Sequence, residues 1–183
     1  LRDVVYWTWE QEVVERLGEP ARKMAVEYTV GVVDVPFDKF TTMIAPQDWG
    51  VSLDHYLGGD VQVYQRDKAG RATHQAERMV LSALPFDLAL RPLNQDMTKS
   101  EIIVYEEERA TVYWLVYHSD NGSTEADVGT VTIEAEGDGA TRVTFHSAHK
   151  LRALHLPVDN LIAQATLGPF FRDHIKHYFE QVR

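Results

Sequence analysis

The sequence predicts an α+β fold in which one large antiparallel sheet is covered by a small number of helices. Three observations carry that expectation. Strand-like segments recur in pairs around tight turn signals at Asp67–Gly70, Glu108–Arg109 and Gly137–Gly139, so neighbouring strands run antiparallel. A single long helical pattern returns only at the end, from about Pro157 to Arg183. The helices therefore stand apart from the strand run instead of alternating with it, which separates this order from a parallel α/β fold. At 183 residues the chain fits one domain with an appendage and is long enough for a full core.

Taken in order, residues 3–17 read as an amphipathic helix, because Val5, Trp9, Val13 and Leu17 recur every four residues and Gly18 and Pro20 follow. Residues 1–22 are expected to be an accessory helix and residues 23–183 the main domain. Residues 23–33 are rich in Val and Tyr and read as the first strand. Pro36 is placed to start a short helix whose Phe37, Phe40 and Ile44 share one face, and a second short helix follows. Six more strands succeed it, mostly hairpin-connected, with residues 84–98 as an irregular link and Asn121-Gly122 marking another connection. The expectation is a seven-stranded sheet. A sheet that wide curls, and one long helix laid into the curl cannot fill it, so a cavity is expected between them.

The closing segment "TLGPFFRDHIKHYF" fits that picture. Phe171, Ile175 and Tyr178 fall on its apolar face with His174 at the border, and Pro169 interrupts the helix so that its two halves are aimed separately.

Composition removes several functions. The net charge of −10 opposes non-specific binding to nucleic acid or to anionic membrane. With no cysteine there is no disulfide, no thiolate zinc site and no thiol nucleophile. His174 and His177 are three apart on a helix, but His146 and His149 point to opposite faces of a strand, so no metal is expected. No Gly-x-Ser-x-Gly elbow and no phosphate-binding glycine loop is present. The sequence shows neither a signal peptide nor 18 successive apolar residues, and the expectation is a cytoplasmic protein without integral membrane association.

The element order, together with "VEYTVGVVDVPFDKFTTMI" and the closing helix, resembles the START-like superfamily, also called SRPBCC or helix-grip proteins. The resemblance spans about residues 23–183. It implies a curved seven-stranded sheet wrapped around a long C-terminal helix, two short helices after strand 1, and an apolar cavity for a lipid-like or polycyclic guest; the helix at 3–17 is extra. It implies no cofactor. "DKAGRATHQAERMV" is similar to the second hairpin of the bacterial polyketide aromatase/cyclases. Where those proteins carry tryptophans and an arginine, this chain has Thr73, Gln75, Glu77 and Met79, a departure that favours binding over cyclisation.

The expected function is therefore binding of a hydrophobic small molecule, with Tyr28, Gln75, Met79, Tyr113, Phe145, Phe171, His174, Ile175 and Tyr178 as candidate ligand-binding residues. Only one of Tyr113 and Trp114 can face inward, and the strand "TVYWLVYH" is apolar on both faces. The alternative is a cofactor-independent cyclase or dehydratase using Glu77 and His174 as an acid/base pair; a buried Glu77 needs a partner or a raised pKa. A third reading is an interaction module in which the N-terminal helix, with Trp7 and Trp9, docks a partner or a second copy in a homodimer.

Overall fold

The computed structural model describes residues 2–14, 17–52, 56–81, 95–119 and 124–151. It contains eight strands: β1 (Arg2–Val13), β2 (Arg22–Val33), β3 (Tyr56–Arg66), β4 (Ala72–Leu81), β5 (Gln95–Tyr105), β6 (Arg109–Ser119), β7 (Thr124–Glu136) and β8 (Ala140–Leu151). Helix α1 (Phe37–Met43) and a 3-10 segment (Pro46–Ser52) connect β2 to β3. All strands join one antiparallel sheet in the order β1-β2-β8-β7-β6-β5-β4-β3. The α+β class and the hairpin succession are as the sequence implies. The long closing helix falls on residues outside the described ones. Among the described residues no helix is long and apolar enough to cross a membrane.

The N-terminal segment corrects the expectation. It is a strand, hydrogen-bonded to β2 with Trp7 opposite Tyr28, Trp9 opposite Val26 and Gln11 opposite Met24. A spacing of four is also an even number, so Val5, Trp9 and Val13 satisfy period 2 as well as the helical period. The run of Val, Tyr, Trp and Thr before residue 10, which favours a pleated surface, decides between them. Among the described residues the sheet therefore has eight strands, and Arg2–Val13 is a strand where the expectation put the helix on which a second copy would dock. Residues 95–98, predicted as part of the irregular link, already belong to β5.

Local chemistry fixes the hairpins. Between β3 and β4 the Asp67 carboxylate accepts hydrogen bonds from the backbone of Ala69 and Arg71, each at 2.9 Å, and from Arg71 Nε at 2.7 Å. Gly70 takes φ +83° there, a left-handed conformation that glycine adopts without penalty. Helix α1 lacks a side-chain cap, and Thr41 and Thr42 bond back to the carbonyls of Phe37 and Asp38 at 2.9 and 2.7 Å.

Alternation along the strands gives the sheet two faces. One is covered by α1, which lies against β7 and β8, and by the 3-10 segment, which lies against β3, β4 and β6. Its core joins Phe40, Ile44 and Trp49 to Val33, Ile103, Val112, Trp114, Val131, Ile133, Val143 and Phe145. The opposite face carries a smaller buried cluster, Met24, Val26, Ala126 and Ala148, and exposes Trp7 and Tyr113.

Candidate functional site

The covered face holds an unusual concentration of buried polar side chains. On β4, Gln75, Glu77 and Met79 alternate with outward residues, and on β5, Met97, Lys99 and Glu101 do the same. The register sets Glu77 opposite Lys99, Gln75 opposite Glu101 and Met79 opposite Met97. Rows therefore run across the sheet: a methionine row, a charged row, then an amide–carboxylate row that continues to Trp114.

Lys99 lies at the centre. Its Nζ stands 2.9 Å from Glu77 Oε2 and 2.8 Å from Glu101 Oε1, and 4.0 Å above the Trp49 ring. All three charged side chains are almost completely buried. Glu101 is otherwise fully engaged, accepting from Trp49 Nε1 at 2.9 Å and from Gln75 Nε2 at 2.6 Å; Gln75 also donates to the Gln47 carbonyl at 2.8 Å. Glu77 Oε2 and Lys99 Nζ are thus each other's partners in a buried ion pair, which Glu101 extends on the other side of the ammonium.

Electrostatics divide the proton between these groups. Burial pushes the Glu77 carboxyl above the ordinary glutamate range; the Lys99 charge opposes the rise and the Glu101 charge adds to it. Burial alone pulls Lys99 down, but the two carboxylates outweigh it and its pKa stands above the usual lysine value. Asp48 on the 3-10 segment is also raised, by burial first and then by the Glu101 charge, against a hydrogen bond from Gln47. A protonated Glu77 offers a donor and an ionised one an acceptor, in surroundings where either is strongly felt.

Beyond this cluster, Trp49 packs on Trp114 at 4.8 Å and on Phe145 at 5.8 Å between ring centroids. Trp114 Nε1 donates to Asp127 Oδ1 at 2.9 Å. Its indole lies over Gly129, where an added Cβ would fall 2.4 Å from the ring, so this position accepts no side chain without displacing Trp114. Asp127 is opposite His149 in the register. Burial lowers the His149 pKa to about 4, which keeps the imidazole neutral at pH 7. Glu27 is also buried on this face, opposite Ser147.

Methionines mark the other flank of the charged row. Met79, Met97 and Val116 form a separate small cluster there. Among the described residues no group of histidines, aspartates and glutamates could hold a metal ion.

The candidates read from the sequence divide between the two faces. Gln75, Glu77, Met79 and Phe145 come together on the covered face, and Trp114, not Tyr113, points inward from β6. Tyr113 is on the opposite face and 48% exposed. Tyr28 is there too, its ring 5.4 Å from Trp7 and 6.0 Å from His146. Alternation thus places both tyrosines on the side away from Phe145 and Gln75, so the predicted set is not brought together on one face. Phe171, His174, Ile175 and Tyr178 lie outside the described residues. Sequence reasoning missed Lys99, Glu101 and Trp49. The signal was present in "MTKSEI", where Lys99 and Glu101 fall two apart between Met97 and Ile103 and so share their face.

Comparison with known proteins follows from this geometry. No family model matches the chain, and no curated protein matches it in sequence. Solved structures do. Human StAR-related lipid transfer protein 5 superposes with a TM-score of 0.63 at 12% identity, covering 98% of this chain and 83% of that one. A START superfamily protein from Mycobacterium smegmatis gives 0.57 at 12% identity, covering 86% and 96%. The Zhui aromatase/cyclase from Streptomyces gives 0.54 at 10% identity, covering 87% and 93%. At these identities the likeness speaks for architecture, and the chain has the START-like, or SRPBCC, fold.

Proposed function

We propose that this protein binds a hydrophobic small molecule, lipid-like or polycyclic, on the covered face of the sheet, with residues 157–183 closing the site as a helix. The ligand-binding unit is residues 23–183, which β1 extends at the sheet edge. The observation that carries the reading is the adjacency of an adaptable apolar patch, Met79, Met97 and Val116, to the buried polar cluster of Glu77, Lys99, Glu101 and Gln75. Methionine side chains conform to irregular guests, and a few buried polar groups then fix orientation. Fold neighbours named for lipid transfer and for aromatase/cyclase activity support the ligand class. Phe171, His174, Ile175 and Tyr178 supply the opposing wall in this reading. Native mass spectrometry of the purified protein tests it: a co-purified apolar molecule is expected, lost or weakened in Met79→Ala. Protein that stays empty and takes up no hydrophobic probe overturns it.

A second reading is favoured by one feature, the buried carboxyl of Glu77 with its raised proton affinity. Such a group is poised as a general acid or base in a cyclase or dehydratase, with His174 as its proposed partner. A Glu77→Gln variant is expected to lose turnover by roughly 10²-fold or more. Full turnover in that variant removes Glu77 from the chemistry.

A further inference from the structure

Two hairpins meet where β4 pairs with β5. Within each, a tight turn sets the register: Asp67 caps the β3–β4 turn, and the Glu106 amide closes the β5–β6 turn on the Arg109 carbonyl at 2.8 Å. Between them runs a connection, residues 82–94, too long for turn geometry to dictate which residues face each other. Yet β4 and β5 pair from His74–Ile102 to Leu81–Gln95 without a register shift. A slip of one residue would turn Glu77 and Lys99 to the outer face, which the pleat forbids. A slip of two keeps every side chain on its own face, so only the identity of the facing pairs can exclude it.

The native register matches Gln75 with Glu101, Glu77 with Lys99 and Met79 with Met97. Slipped one way, Glu77 would face Glu101 and Met79 would face Lys99. Slipped the other way, Glu77 would face Met97 and Gln75 would face Lys99. Either slip parts Glu77 from the ammonium that it holds at 2.9 Å and leaves a buried charge uncompensated. The outer face discriminates less, because Arg78 is half exposed and its partner Asp96 would face it directly in the second slip. The 3-10 segment reads the same register: Trp49 donates to Glu101 on β5, while Gln75 on β4 donates to the Gln47 carbonyl. We infer that the buried charges of Glu77, Lys99 and Glu101 fix the register in which the β3–β4 hairpin joins the rest of the sheet, and thereby set Met79 beside Met97. The inference does not rest on the proposed function. It gives a reason for sealing three ionisable groups where apolar ones would pack.

The chain has no cysteine, so an engineered pair reports the register without a competing thiol. Facing residues stand about 4.5–5.5 Å apart at Cα, within reach of a disulfide, whereas diagonal neighbours at roughly 7–8 Å are not. Ala76→Cys with Ser100→Cys traps the native register, in which these residues face each other. Arg78→Cys with Ser100→Cys traps the slip that would bring Glu77 opposite Glu101. Each pair is placed in the full-length protein twice, once with the charges intact and once in a neutral background of Glu77→Leu, Lys99→Met and Glu101→Gln. The last change keeps an acceptor for Trp49 and Gln75. Disulfide yield after mild oxidation is read by peptide mass spectrometry. With the charges intact, the native trap is expected to close at least about tenfold more than the slipped one; in the neutral background the two are expected to come within about threefold. A neutral chain that still closes only the native trap overturns the inference, as does a charged chain that closes both traps equally. If the triple variant does not fold, Glu77→Gln alone decides. It relieves the facing carboxylates of the slip, so the slipped trap is expected to gain at least about threefold, and no gain overturns the inference.

Discussion

The two faces of one sheet differ in what their alternating residues do. On the covered face of β6, Val112 and Trp114 are sealed beneath the 3-10 segment; one residue away, Tyr113 and Tyr117 are about half exposed. The same contrast separates the two histidines of β8, with His149 inside and His146 outside. Among the described residues the buried ionisable groups lie on one side: Glu27, Glu77, Lys99, Glu101 and His149 all belong to the covered face. A buried charge is destabilising unless partnered, so such concentration marks a surface shaped for more than packing.

That contrast can be broken most forcefully at Lys99. Replacing it with Met leaves Glu77 and Glu101 facing each other without a counter-charge, and the expected loss is about 3–5 kcal/mol in urea unfolding. A loss under 1 kcal/mol would mean that the two carboxylates already share a proton and need no ammonium.

Next in size is an acid effect from His149. Its folded pKa of about 4 lies below the ordinary 6.5, so its contribution is complete above pH 6.5 and is lost as pH falls toward 4. The loss amounts to roughly 3 kcal/mol at most. Glu77 acts in the opposite sense: its raised pKa gives stability that is present below the ordinary glutamate value and disappears as pH rises through the folded one. Unfolding of the wild type and of His149→Gln between pH 7 and 4 separates the two. Parallel curves would show that His149 is not the group responsible.

The smallest effect is expected on the open face. Tyr113→Ser should change stability by no more than about 0.5 kcal/mol and leave ligand uptake untouched. A clear loss of ligand binding in that variant would move the site to the other side of the sheet.

How far the sequence revealed this arrangement depends on how local each signal is. Turns are local, and the carboxylate of Asp67 with Gly70 after it announces the β3–β4 hairpin from sequence alone. Periodicity is less decisive: Val5, Trp9 and Val13 satisfy both a helix and a strand, and the β-favouring composition together with pairing to β2 selects the strand. The position of Glu77 was legible by alternation along β4. Its partners were not, because the register of β4 on β5 is set across a long connection and no local feature specifies which β5 residue comes opposite. The facing of Tyr28 and Tyr113 was illegible for a related reason. Where both faces of a strand are apolar, hydrophobicity carries no direction, and burial by α1 and the 3-10 segment supplies it.

The hydrogen-bonded ladder between β1 and β2 has a consequence for any shortened form of the protein. Removing the first 22 residues would strip β2 of its neighbour and bare a row of amides and carbonyls along Met24–Val33. Two such clipped molecules could then zip together through that raw margin, so trimming the amino terminus is expected to appear as self-association before it appears as unfolding.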